Sequence, residues 1–173
     1  RENQPWMLSV NPFDPHPPFD PPYEYFKGYD SVAMPGAHFE LHDLEHQQKL
    51  ADANVDFQSK PQHPDLWDHK LIQAAYYAMI EQVDHEFGRL IDHLNATGKK
   101  DNTIIVFMSD HGEALCDHGL LLKGCRFLEG LTRVPLMVSW PKRYQQDIVS
   151  NALVELIDLV PTILDSAEIE TPY

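Results

Sequence analysis

The stretch 101–113, DNTIIVFMSDHGE, decides how the fold is read. Residues 103–108 run Thr-Ile-Ile-Val-Phe-Met without polar alternation, the pattern of a strand buried on both faces, as in a parallel sheet. Upstream, apolar side chains recur at Ala75, Tyr76, Met79, Ile80, Val83, Phe87, Leu90, Ile91 and Leu94. Steps of three, four and one put them on one face of an amphipathic helix, predicted over 68–96. Asp68 supplies its N-cap and Gly98 its stop, with Lys99 and Lys100 near the negative end. Downstream come a long loop, a short helix near 127–130 and a second buried-type strand over 134–140 ending at Pro141. Helical spacing returns over 148–167, with Pro161 suited to a first turn. At the front, a brief apolar run over 6–10, extending toward Phe13, reads as a further strand. Strands and helices in this order predict an α/β fold, a mostly parallel central sheet flanked by helices, as a single unit over 1–173.

Between the first strand and the long helix the pattern breaks. Six of the 14 prolines fall between Pro12 and Pro22, which forces a rigid, extended loop. Residues 23–64 have little periodicity and are read as an irregular excursion or lid, with a short helix over 41–51.

Composition bounds the function. The 173 residues carry 13 basic and 27 acidic side chains, a net charge of −14, and 43% are apolar. That apolar share supports a core and excludes wholesale disorder. A surface this acidic repels nucleic-acid backbone and anionic lipid, so neither is an expected partner. No apolar run approaches the ~18 residues of a membrane span. Two cysteines, Cys116 and Cys125, cannot make a disulfide framework. The start, RENQPWMLSV, has no signal-peptide pattern and enters an apolar run as though cut just ahead of a strand. The chain is therefore expected to be a piece of a longer polypeptide, with any targeting segment outside it.

In open α/β sheets ligands collect beyond the carboxyl ends of the strands, and here those ends carry DPHPPF and SDHGE. Asp110 and His111 leave a strand together, with Gly112 permitting the turn. A carboxylate beside an imidazole is half of a divalent-metal site, or else a helix cap beside a surface histidine. Lys123 stands among Leu120, Leu121, Leu122 and Gly124; it either snorkels to solvent or faces an anion. His16, held between Pro15 and Pro17-Pro18, is either part of a connector or an imidazole placed to meet a substrate oxygen. His118, taken singly, reads as a hydrogen-bonded loop residue. A His42/His46 pair has helical metal-ligand spacing but no third ligand at fitting distance. His85 and His93 fall near the polar face of the long helix and read as solvated. His38, His63 and His69 lie in the poorly patterned region, where they could line a cleft.

Taken in order, the strand followed by DPHPPFDPP, the helix YYAMIEQVDHEFGRLIDHLNATG, DNTIIVFMSDHGE, DHGLLLKG, FLEGLTRVPLMVSWP and ALVELIDLVPTILDSA resemble the sulfatase family of the alkaline-phosphatase superfamily. The resemblance spans nearly the whole chain and is weak over 23–64. It implies a sulfuric ester hydrolase segment, with sulfated carbohydrate among the candidate substrates. Asp110 and His111 match one pair of metal ligands, usually for calcium. Lys123 matches the lysine that contacts sulfate, His16 the histidine that assists the leaving group, and His118 a histidine lining the pocket. A phosphonate monoester or phosphodiester hydrolase of the same superfamily is the alternative, with manganese or zinc. Family members also carry a C-x-P-S-R or S-x-P-S-R segment, whose Cys or Ser becomes the formylglycine nucleophile, and a paired-Asp motif completing the metal shell. Neither occurs in these residues. Both are expected upstream, in the remainder of a sulfatase polypeptide, and the isolated chain is expected to be inactive. The resemblance favours a periplasmic, secreted or lysosomal setting.

Overall fold

The computed structural model describes residues 4–54 and 60–170. The parts of the excursion at 55–59 and of the C-terminal stretch at 171–173 lie outside the described residues. A proline-rich coil leads into α1 (Tyr23–Phe26) and α2 (Leu41–Asp52), followed by the long α3 (His69–Ala96). Then come β1 (Ile105–Met108), α4 (Glu129–Thr132), β2 (Leu136–Ser139) and α5 (Leu159–Ser166).

α3 forms where its periodicity places it. The Asp68 side chain accepts from Leu71 N at 3.4 Å, satisfying one of the donors that a helix start leaves open. At the other end Thr97 Oγ1 donates to His93 O at 2.8 Å, and Gly98 takes φ +64° to leave the helix. The helix buries Ala74, Ala75, Ala78 and Met79. About two turns further along, Phe87 meets Phe107 of β1 with ring centroids 5.0 Å apart, so helix and strand touch there. α1 docks through Tyr25 Oη, 2.7 Å from His85 Nδ1. His85 is exposed, as its place on the polar face implies, yet bonded.

The α/β character stands, with one correction to the sheet. Among the described residues β1 and β2 form a two-stranded sheet, and they pair antiparallel, Ile105 opposite Ser139 and Met108 opposite Leu136. The long connection returns to the end of β1 that it left, so no crossover is made. Neither strand is buried as its apolar run predicts, since β1 is half-buried with Met108 exposed and Met137 and Val138 of β2 are exposed. Such a run also carries no information on the direction of its neighbour. The first predicted strand is also corrected. Residues 5–13 are coil, with Trp6, Met7, Leu8, Val10 and Phe13 exposed. A strand needs a neighbour for its N–H and C=O groups, and no described segment pairs with this one. The last helix is shorter than its spacing predicts: 148–155 is coil, with Val149 and Leu153 exposed. An apolar face with nothing against it gives a helix little stability.

The buried centre behind β1 is built by the connection itself. Ala114, Leu120 and Leu131 form a cluster, with Leu128 packed on it.

Candidate functional site

The chemistry begins where β1 ends. Ser109 Oγ donates to His111 O at 2.7 Å, and His111 N donates to Asp110 Oδ1 at 3.0 Å, folding the chain into a tight turn. Gly112 N donates to Leu131 O at 2.8 Å, which ties this turn to α4. A Cβ at Gly112 would lie 1.9 Å from Gly130 O. Glycine is required here by that close approach of two backbones.

His111 Nδ1 lies 2.8 Å from Gly112 O. A carbonyl can only accept, so Nδ1 carries the proton, and the neutral ring keeps its lone pair on Nε2. That nitrogen is 3.8 Å from Asp110 Oδ2, on a carboxylate that is 79% exposed. A cation with bonds of roughly 2.0–2.6 Å can straddle two donors so spaced. A ring proton given to a backbone carbonyl is how ligating histidines are usually oriented. The pair fits half of a divalent-metal site. Among the described residues no group of three or more His, Cys, Asp or Glu side chains is arranged to hold an ion, and this includes His42 and His46, whose rings are 6.5 Å apart.

Glu113 stands next in the chain and points inward, its side chain only 4% exposed. Lys123 Nζ is 3.8 Å from Glu113 Oε2. The ammonium therefore faces a buried carboxylate and does not snorkel. Burial raises the Glu113 pKa above the ordinary range, although Lys123, the Ala114 N–H, His111 and His16 all pull it down. Of these, Lys123 is the ion-pair partner at 3.8 Å, and the imidazoles act on Glu113 through charge alone. Tyr76 of α3 joins them; burial, then the charge of Glu113, raises its pKa. His16 is exposed, its Nδ1 proton given to Pro17 O at 2.9 Å and its ring against Phe13 at 5.0 Å. Its Nε2 is left for a ligand.

His118 is held elsewhere. Its Nδ1 is 3.3 Å from Asp43 Oδ1 of α2, and its ring meets that of His38 edge-on at 5.3 Å. Both imidazoles line a cavity of about 260 Å³ with Asp117, Glu129 and the apolar Ala114, Leu128 and Leu131. Lys123 and His16 are not among its walls. The excursion over 23–64 is what holds this side of the loop. His118 N donates to His38 O at 2.8 Å, His38 N to Asp117 Oδ1 at 2.7 Å, and Gln62 N to Gly119 O at 3.0 Å. His69 begins α3 with Nδ1 buried and unpartnered; His63 caps a short 3-10 turn at Pro64–Leu66.

Sequence reasoning gave Glu113 and Asp43 no role. Glu113 ends the run SDHGE, yet only burial distinguishes it from a solvated acid. Asp43 stands three residues after Glu40, a spacing that signals a helix start, and this signal hides the contact with His118.

The Sulfatase family profile matches residues 1–169. The chain is 33% identical over 177 residues to an arylsulfatase of Clostridium perfringens, covering 98% of this chain and 35% of that protein. Among solved structures it resembles the phosphonate monoester hydrolase SpPMH from Silicibacter pomeroyi, with a TM-score of 0.76 and 30% identity over 91% of this chain and 33% of that one. It also resembles BT4656, solved in complex with its substrate D-glucosamine-2-N,6-O-disulfate, with a TM-score of 0.57 and 32% identity over 74% of this chain and 25% of that one. The chain spans about a third of the length of the arylsulfatase and SpPMH. Members of this superfamily use a divalent metal. The chain belongs to the sulfatase family.

Proposed function

We propose that these residues form the anion-binding half of a sulfuric ester hydrolase. The observation that supports it best is Lys123 held 3.8 Å from buried Glu113, which lies two residues beyond the exposed Asp110–His111 donor pair. A sulfate ester is an anion, and a chain of net charge −14 needs local positive charge to hold it. Lys123 supplies one such charge, kept in place by Glu113. Asp110 and His111 would hold a divalent cation, calcium by family resemblance, which supplies a fixed positive charge against the ester oxygens when bound. His16 has Nδ1 committed to Pro17 O, so Nε2, protonated in the imidazolium form, is the atom that can pass a proton to the departing oxygen. The formylglycine nucleophile and the remaining ligands belong, in this reading, to the polypeptide outside these 173 residues. The substrate is a sulfate ester, and a sulfated sugar is the class favoured by the likeness to BT4656. No helix among the described residues is long and apolar enough to cross a membrane.

One observation favours a second reading. SpPMH is a phosphonate monoester hydrolase, with a TM-score of 0.76. The full-length protein should be assayed with 4-nitrophenyl sulfate plus calcium, and with bis(4-nitrophenyl) phosphate plus manganese or zinc. Sulfate-ester turnover is expected to dominate, and Lys123→Ala to lower its kcat by about 100- to 1,000-fold, the loss typical of one charge-stabilising donor. Phosphodiester turnover higher by orders of magnitude would replace the first reading with the second. Unchanged activity in Lys123→Ala would remove Lys123 from the site.

A further inference from the structure

Leu115, Cys116 and His118 have φ of 50°, 75° and 53°, a left-handed backbone that side chains of their kind rarely adopt. Asp43, buried in the first turn of α2, clamps this loop from outside. Its Oδ2 accepts from Glu40 N at 2.8 Å, which starts the helix, and its Oδ1 faces His118 Nδ1 at 3.3 Å. A carboxylate only accepts, so the nitrogen facing it, Nδ1, carries a proton, and in the neutral ring the Nε2 lone pair is left for whatever enters the cavity that the ring lines. Of the other polar walls, the carboxylates accept, while the His38 ring brings an N–H as well as a lone pair. Asp117 Oδ1 already takes the His38 N–H, and Glu129 Oε1 takes Arg133 Nη1 at 3.0 Å, leaving each carboxylate a second oxygen. A cavity so furnished suits a group that both donates and accepts, as a hydroxyl does, and its Ala114, Leu128 and Leu131 walls suit carbon.

We infer that Asp43 is a positioning residue that fixes His118 as a hydrogen-bond acceptor, and that this cavity receives a hydroxyl group on the organic part of the ligand. The sulfatase reading enters only in making that organic part the alcohol of an ester. Asp43→Asn tests the clamp without changing its shape. One carboxylate has an oxygen for each donor, whereas an amide has one oxygen and must turn its NH2 toward either Glu40 N–H or His118 Nδ1–H.

In the full-length protein labelled with 15N-histidine, the His118 signals, assigned by their loss in His118→Gln, should report the Nδ1–H tautomer. In Asp43→Asn they should move toward Nε2–H. With glucose 6-sulfate, Asp43→Asn should lower kcat/KM by about 10- to 100-fold, and by less than about threefold when added to His118→Gln. An unchanged tautomer, or an equal loss in both backgrounds, would make Asp43 a helix start only. If the protein hydrolyses 4-nitrophenyl sulfate but no hydroxyl-bearing ester, the hydroxyl assignment is wrong. If it hydrolyses no sulfate ester, the sulfatase reading fails, while the tautomer still decides the role of Asp43.

Discussion

Two buried carboxylates in this chain are treated in opposite ways. Glu113 has its pKa raised, because burial outweighs Lys123, a single long hydrogen bond from Ala114 N at 3.4 Å, and the two imidazoles. Asp43 has its pKa lowered: burial would raise it, but the Glu40 N–H, His118 and His42 together prevail. Folded Asp43 therefore binds a proton less tightly than the unfolded chain does. Its contribution to stability is complete above the unfolded value of about 4 and is lost as pH falls through the folded value. Urea midpoints of wild type and Asp43→Asn, measured from pH 6 to pH 2, should differ most at the upper end and converge in acid. A constant difference would mean that the charge of Asp43 contributes nothing. At this scale the sequence reveals residue types and the strand end that Asp110 and His111 follow, which makes those two candidates; Lys123 and His16 are candidates through their immediate neighbours. It does not reveal which acids are buried. Asp43 and His118 are 75 residues apart, and no local pattern links them.

Elements were legible in proportion to how far they stabilise themselves. α3 has a capping aspartate, a long apolar stripe and a stop, and it begins and ends within two residues of its expected bounds. α2 is similarly close at Leu41–Asp52. The run over 6–10 and the first half of 148–167 needed surfaces that the described residues do not provide, and so stayed coil. The antiparallel pairing of β1 with β2 is set by the path of the connection, which leaves no trace in the strands. Gly112 carries the main element-scale consequence, since it joins the turn after β1 to α4. Gly112→Ala would force a Cβ to within 1.9 Å of Gly130 O and should cost on the order of 3 kcal/mol or more. The check is a chemical-denaturation curve, alongside Gly88→Ala, where a Cβ meets nothing within 4 Å and stability should hold or rise. Equal effects of the two substitutions would show that the turn can separate from α4.

For the molecule as a whole, the distribution of apolar surface matters most. Trp6, Met7, Leu8, Val10 and Phe13 at one end, and Val149, Leu153, Val154 and Ile157 at the other, are exposed. Solvent-facing apolar area on this scale marks surfaces that associate. The 173-residue chain expressed alone should bind 1-anilinonaphthalene-8-sulfonate and sediment as more than a monomer; a dye-silent monomer would mean that these segments find cover within the chain. The excursion has a different consequence. Its hydrogen bonds to 115–119, made by the His38 N–H and C=O, the Gln62 N–H and the Asp43 carboxylate, act as knots on a single loop. Between such knots chain length costs little, since doubling a span adds only about 0.6 kcal/mol of closure entropy. The parts of the intervening stretch that do not touch this loop should therefore tolerate changes in length and composition, whereas His38, Asp43 and Gln62 should not.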